Sequence, residues 1–145
     1  RSAISAIDAP PAPLKDALAD WRAEVEGRCE AAHIQLSWQQ SEMPQLRLQP
    51  RIKAALGSVL REAVTNALKH ASPASVSIRI GSDEPILSME VMNDGNISDP
   101  AQWQEGYGLR SIRGRLHDLG GQLILSREDS AVHLKMNIPL ARLSS

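Results

Sequence analysis

Phenylalanine is missing from the 145 residues and aromatics of every kind amount to 3%, so the core of this chain has to be aliphatic. Cysteine occurs once, at Cys29, which excludes an internal disulfide and favours a reducing compartment. No apolar run approaches the roughly 20 residues that cross a bilayer, and no secretory leader is legible. Neither sign of charge dominates. With 17 acidic against 16 basic groups, the chain lacks the electrostatic footprint of a nucleic-acid binder. What remains is ordinary: 42% hydrophobic and 23% charged residues, at a length that can bury a real core. These proportions predict one soluble, cytoplasmic domain.

Proline marks the first boundary. Residues 1–13 end in Ala9-Pro10-Pro11-Ala12-Pro13 and read as a linker or entering strap, leaving 14–145 as the domain. Apolar positions at Leu14, Ala17, Leu18, Trp21, Val25 and Ala32 predict a helix over 14–32. Alternation from Ile34 to Trp38 predicts a short strand. After a loop carrying Pro44 and Pro50, a second helix is expected from Arg51 to His70, with Ile52, Leu56, Val59, Leu60, Ala63 and Ala67 on one stripe. Ser72-Pro73 stops it. Val76, Ile78 and Ile80 then alternate, as do Leu87, Met89 and Val91, and the turn-forming Gly81–Pro85 stretch makes them a hairpin. A glycine-bearing loop over 93–108 leads to a third helix with Leu109, Ile112, Leu116 and Leu119 on one face, ended by Gly120-Gly121. Two strands, Gln122–Ser126 and Val132–Ile138, close the domain. Helices interspersed with antiparallel hairpins argue for helices packed on one face of a mixed sheet.

Three segments could carry chemistry. On the second helix, Glu62, Asn66 and Lys69 fall at i, i+4 and i+7, on one flank of the apolar stripe, and His70 follows. A carboxylate, an amide and an ammonium at the border of core and solvent suit a metal–phosphate ligand, although the same spacing also describes an ordinary solvated face. Gly106-Tyr107-Gly108-Leu109 opens the third helix, where backbone N–H groups can meet an anion, and Arg110, Arg113 and Arg115 follow; a plain turn has the same composition. Asn93-Asp94-Gly95-Asn96 ends the hairpin. It reads equally as a turn or as a strand end whose side-chain oxygen accepts from an exocyclic amine. Histidine contributes no metal site, because none of His33, His70, His117 and His133 has a second histidine or cysteine at ligand spacing.

In this order, the segments resemble the ATP-binding catalytic domain of sensor histidine kinases. The closest resemblance is to the subfamily of nitrate/nitrite sensors and other kinases that pair with LuxR-type response regulators. Arg61-Glu62-Ala63-Val64-Thr65-Asn66-Ala67-Leu68-Lys69-His70-Ala71 is similar to that family's N box, and Gly106-Tyr107-Gly108-Leu109-Arg110-Ser111-Ile112-Arg113-Gly114-Arg115 to its second glycine box. The resemblance implies the Bergerat fold, an α+β two-layer sandwich of about three helices on a mixed five-stranded sheet. It implies ATP and Mg²⁺ as cofactors, with Asn66 holding the metal and Glu62 ordering water and phosphate. Lys69 and His70 would face the phosphates. Gly106 and Gly108 would form the lid over the triphosphate, Tyr107 and Leu109 beside them would also bind the nucleotide, and Asn93 and Gly95 would hold adenine. The activity implied is transfer of the γ-phosphoryl to a histidine.

Two departures touch the adenine end. The family's first glycine box reads D-x-G-x-G, where this chain has Asn93 for the aspartate and Ile97 for the second glycine; near the C-terminus, Ala131 and Val132 replace Gly-Thr. No acidic-flanked acceptor histidine followed by a second helix is present. The chain is therefore expected to be the catalytic fragment of a longer kinase anchored in the inner membrane, unable to autophosphorylate alone. Its expected partners are the upstream dimerisation and phosphoacceptor helices and a LuxR-type regulator, with neither nucleic acid nor direct membrane contact. The alternatives are a degenerate domain that docks partners without turning over ATP, and an anti-sigma-type ATP-binding module.

Overall fold

The computed structural model describes residues 9–70, 75–94, 109–128 and 131–144. In chain order these form β1 (Ala12–Pro13), α1 (Leu14–Ala31), β2 (Gln35–Gln40), β3 (Arg47–Leu48), α2 (Pro50–His70), β4 (Ser75–Asp83), β5 (Ile86–Asn93), α3 (Leu109–Asp118), β6 (Gln122–Glu128) and β7 (Ala131–Pro139), followed by a 3₁₀ turn at Leu140–Arg142. The main sheet has the order β2-β4-β5-β7-β6. Its β2–β4 pair is parallel and every other pair antiparallel, so the expected mixed five-stranded sheet is present. All three helices lie on one face, with α1 against β2, α2 against β5 and α3 against β6.

Strand alternation decides which face the helices cover. Val76, Ile78 and Ile80 of β4, Leu87, Met89 and Val91 of β5, and Leu134, Met136 and Ile138 of β7 are all buried beneath the helices. The intervening residues face away: Arg79 and His133 both reach Glu90, at 3.6 and 3.0 Å. From the helix side, Leu14, Leu18, Trp21, Leu56, Val59, Leu60, Ile112 and Leu116 complete a core without one phenylalanine.

Several boundaries move slightly from the sequence reading, each for a local reason. Pro50 is the first residue of α2 rather than part of the loop, since a helix N-terminus leaves that N–H unpaired in any case. The hairpin turn contracts to Glu84-Pro85, and Gly81 sits inside β4 opposite Ser88. Ala12 and Pro13 pair with Leu48 and Arg47 in a two-stranded ribbon whose partners are too short for alternation to reveal.

Two helices end alike. In α3, Gly121 N–H donates to the Leu116 carbonyl at 2.7 Å and Gly120 N–H to that of His117 at 2.9 Å, with Gly120 at φ 73°. In α1, Ile34 N–H donates to the Cys29 carbonyl at 2.9 Å and His33 N–H to that of Glu30 at 3.1 Å, with His33 at φ 60°. Both are Schellman ends, which place one residue in the left-handed region. At His33 that residue carries a Cβ. His33→Gly is therefore expected to stabilise the domain by about 0.5–1 kcal/mol, the relieved strain outweighing the added freedom of the unfolded chain. A melting temperature that fails to rise in thermal denaturation would contradict this.

Polar pairs set how α1 lies on α2. Lys53 reaches Asp20 at 3.3 Å, Arg61 donates to both Glu24 oxygens at 2.6 and 3.2 Å, and Arg28 donates to Thr65 Oγ1 at 2.8 Å. Exposed pairs add little stability, so their effect is mainly on register. The Arg61 hydrogen bond holds the Glu24 carboxyl below the usual carboxylate range. Its contribution is thus complete above the unfolded value and fades as the pH falls through the lowered one. Beneath this seam, Gly57 of α2 admits Trp21, since a Cβ there would stand 2.7 Å from Trp21 Nε1.

Candidate functional site

The C-terminal half of α2 carries Glu62, Asn66 and Lys69 along one flank, as their spacing requires. Lys69 is exposed, Glu62 half-buried and Asn66 only 3% exposed. An asparagine buried among Ala63, Val64 and Ala67 is unusual enough to need a reason.

Glu62 is held from the neighbouring helix. Its Oε1 accepts from Ser111 Oγ at 3.2 Å and from Arg115 Nη1 at 3.3 Å, and Arg115 also donates to Ser111. Ser111 and Arg115 stand one turn apart on α3, so the helix that follows the glycine-rich loop is fastened to the carboxylate of α2. In the sequence Arg115 is one of three cations along the turns after the glycine pair; the structure gives it Glu62. The i, i+4 spacing of Ser111 and Arg115 was visible, but the identity of their partner depends on how two distant helices pack.

Two other polar atoms of this pair have no partner among the described residues. Glu62 Oε2 and Asn66 Nδ2 are both buried without a hydrogen bond among the described residues. Such atoms carry a desolvation penalty of about 1–3 kcal/mol each unless something binds them. Their characters are opposite. A carboxylate oxygen wants a cation or a donor, an amide nitrogen wants an oxyanion, and a half-turn of the amide offers Oδ1 to a metal instead. This donor set fits a cation–phosphate pair. Among the described residues no three His, Cys, Asp or Glu side chains gather into a metal site by themselves, so a cation beside Glu62 and Asn66 would need further oxygens from a ligand.

Asn93, expected on the adenine side, sits at the end of the central strands. Asn93 is 5% exposed at the last position of β5, directly between Val76 on β4 and Val132 on β7. Two of the positions at which the chain departs from the family pattern, Asn93 and Val132, are thus register partners. Among the described residues the Asn93 amide reaches only the Asp94 carbonyl, at a marginal 3.5 Å. Asp94 binds elsewhere, accepting from Ser75 N–H at 3.0 Å and Ser75 Oγ at 3.1 Å, which clasps the start of β4. That clasp has no signature in the sequence. Leu109 opens α3 with its side chain in the core, 1% exposed. His70 ends α2. Gly95, Ile97, Gly106, Tyr107 and Gly108 lie outside the described residues.

No family model matches the chain. The histidine-protein kinase/phosphatase UhpB of Salmonella typhimurium is 30% identical over 103 residues, which are 71% of this chain and 20% of that protein. The nitrate/nitrite sensor NarQ of Escherichia coli is 30% identical over 87 residues, 59% of this chain and 15% of NarQ. The chain spans a fifth or less of the length of these relatives. Among solved structures, the catalytic domain of the histidine kinase ThkA superposes with a TM-score of 0.72 at 17% identity, covering 87% of this chain and 91% of that domain. By fold and by sequence together, the chain belongs to the sensor histidine kinases and corresponds to their catalytic domain.

Proposed function

We propose that the chain binds ATP with Mg²⁺ beside the C-terminal half of α2 and supplies the γ-phosphoryl to a histidine carried on dimerisation helices outside these residues. The observation that carries this reading is the pair of buried polar atoms of opposite character, Glu62 Oε2 and Asn66 Nδ2, that have no partner among the described residues. Asn66 would hold the metal and Lys69 the phosphate charge. Glu62, oriented by Ser111 and Arg115, would order water and phosphate oxygens. Bound Mg²⁺ would supply neutralisation of charge on the phosphates. His70, Gly106, Tyr107, Gly108 and Leu109 complete the phosphate side of the proposal, and Asn93 and Gly95 the adenine side.

A response regulator of the LuxR type is the proposed recipient of the phosphoryl group; ThkA has been seen in complex with the response regulator TrrA. Among the described residues no helix is long and apolar enough to cross a membrane. A cytoplasmic position, with any anchor elsewhere in a longer protein, belongs to the proposal. Calorimetric titration with a non-hydrolysable ATP analogue, with and without Mg²⁺, tests it. Binding strengthened by Mg²⁺ supports the reading, and a folded protein that binds nothing refutes it.

One observation favours a second reading, a domain that docks its partners without turning over ATP. Asn93 and Val132 replace two polar positions of the family pattern and lie side by side in the sheet. The variant Asn93→Asp separates the readings. A carboxylate at this buried site, next to Asp94, destabilises the free protein. In the nucleotide complex it gains a charge-assisted bond from the adenine amine, expected to tighten binding by roughly 1–3 kcal/mol. Unchanged affinity by calorimetry would place adenine elsewhere.

A further inference from the structure

Away from the adenine strands, the N-terminal turn of α2 and the C-terminal turn of α3 enclose a cavity of about 420 Å³. Its walls carry Arg51, Arg115 and Arg142, with Asp118 as the acidic side chain among them, over an apolar floor that includes Ile52 and Leu119. Three arginines line this hollow against one carboxylate, Asp118, so even with Arg115 paired to Glu62 the balance of charge around it is positive and favours an anion. Two of the three are only partly engaged: Arg142 donates to the Asp118 main-chain carbonyl at 3.1 Å, and Arg115 to Glu62 and Ser111. Each guanidinium has five donors, so both retain N–H groups. Arg51 has no hydrogen-bond or ion-pair partner among the described residues and stands on the first turn of α2, where the helix dipole also favours negative charge.

The volume exceeds what a single halide or carboxylate fills and lies within the range of small-molecule pockets. Planar forks from several directions suit an oxyanion that carries more than one charge. We propose that this cavity binds a small, multiply charged oxyanion, of the phosphate-ester or polycarboxylate type, and that the bound anion competes with Glu62 for Arg115. Arg115 lines the cavity and also holds the carboxylate of the nucleotide-side pair, so occupancy at one end of α3 loosens Glu62 at the other side of the same guanidinium. The binding stands on the cavity alone; only its consequence for activity rests on the nucleotide reading.

The test uses the chain without nucleotide or Mg²⁺, at low salt, with amide NMR as readout. Tricarballylate and inorganic phosphate are titrated separately. Saturable shifts of the Ile52 and Leu119 amides are expected, and the anion that saturates at the lower concentration identifies the chemistry. The Glu62 and Ser111 amides should follow the same curve. Arg51→Gln, which breaks no described bond, should weaken binding about tenfold, and adding Arg142→Gln should abolish it. The site is refuted if neither anion saturates these amides, or if Arg51→Gln titrates like the parent, as it would for phosphate bound beside Asn66. Shifts at Ile52 and Leu119 with none at Glu62 and Ser111 overturn the competition for Arg115.

Discussion

Replacing Asn66 by alanine is expected to remove the Mg²⁺-dependent part of nucleotide binding, about tenfold to a hundredfold in affinity, and to leave thermal stability almost unchanged. The two halves of this outcome have separate causes. Asn66 is 3% exposed and its Nδ2 is buried without a partner among the described residues. In the free protein that atom is a desolvation penalty, so its removal returns free energy that offsets the small volume lost. Alanine is also the better helix former by roughly half a kcal/mol. In the proposed complex the same amide would meet the metal–phosphate pair, and truncation would leave that pair without it. The affinity change corresponds to about 1.4–2.7 kcal/mol. Calorimetry with and without Mg²⁺ reads the first half and thermal denaturation the second. An unchanged affinity would remove Asn66 from the site, and a strong loss of stability would mark it as structural.

The second large effect concerns Gly121, where α3 hands over to β6. A Cβ at this position would press on the main-chain carbonyl of Asn137 in β7. Backbone in the middle of a paired strand cannot step aside as a side chain can. Gly121→Ala is expected to destabilise the domain by about 3 kcal/mol, the upper part of the range for overpacking, and to lower the melting temperature by roughly 6–12 °C. Gly114 is the matched comparison. It lies in the exposed part of α3, and a Cβ added there would meet nothing within 4 Å, so Gly114→Ala should stabilise by up to about 1 kcal/mol. Equal melting temperatures for the two variants would mean that the turn between α3 and β6 adapts more freely than its geometry indicates. Because α3 also carries Ser111 and Arg115, Gly121→Ala should in addition weaken the hold on Glu62.

Much of this was readable along the chain. Ile52, Leu56, Val59, Leu60, Ala63 and Ala67 mark α2 by their period, and the same period sets Glu62 and Asn66 one turn apart. Gly120-Gly121 announces the end of α3, and Gly120 adopts the left-handed conformation that such an end requires. The alternation of Leu87, Met89 and Val91 places these residues on the covered face of β5. These features arise within a single segment, from side-chain spacing and the conformational range of one or two residues, so a linear sequence carries them in full.

Other features depend on which segments meet. Nothing in Arg115 itself selects Glu62 rather than solvent, and nothing in Asp94 selects Ser75. That Asn93 and Val132 face each other follows from the register of β5 on β7, and the cavity between Arg51 and Arg142 exists because the start of α2 packs beside the end of α3. The amino-acid sequence determined the helices, the strands, the covered faces and the spacing that sets Glu62, Asn66 and Lys69 on one flank of α2. The tertiary structure alone decided which of their polar atoms are paired and which are left waiting, because pairing is set by distances across the core that local spacing does not encode.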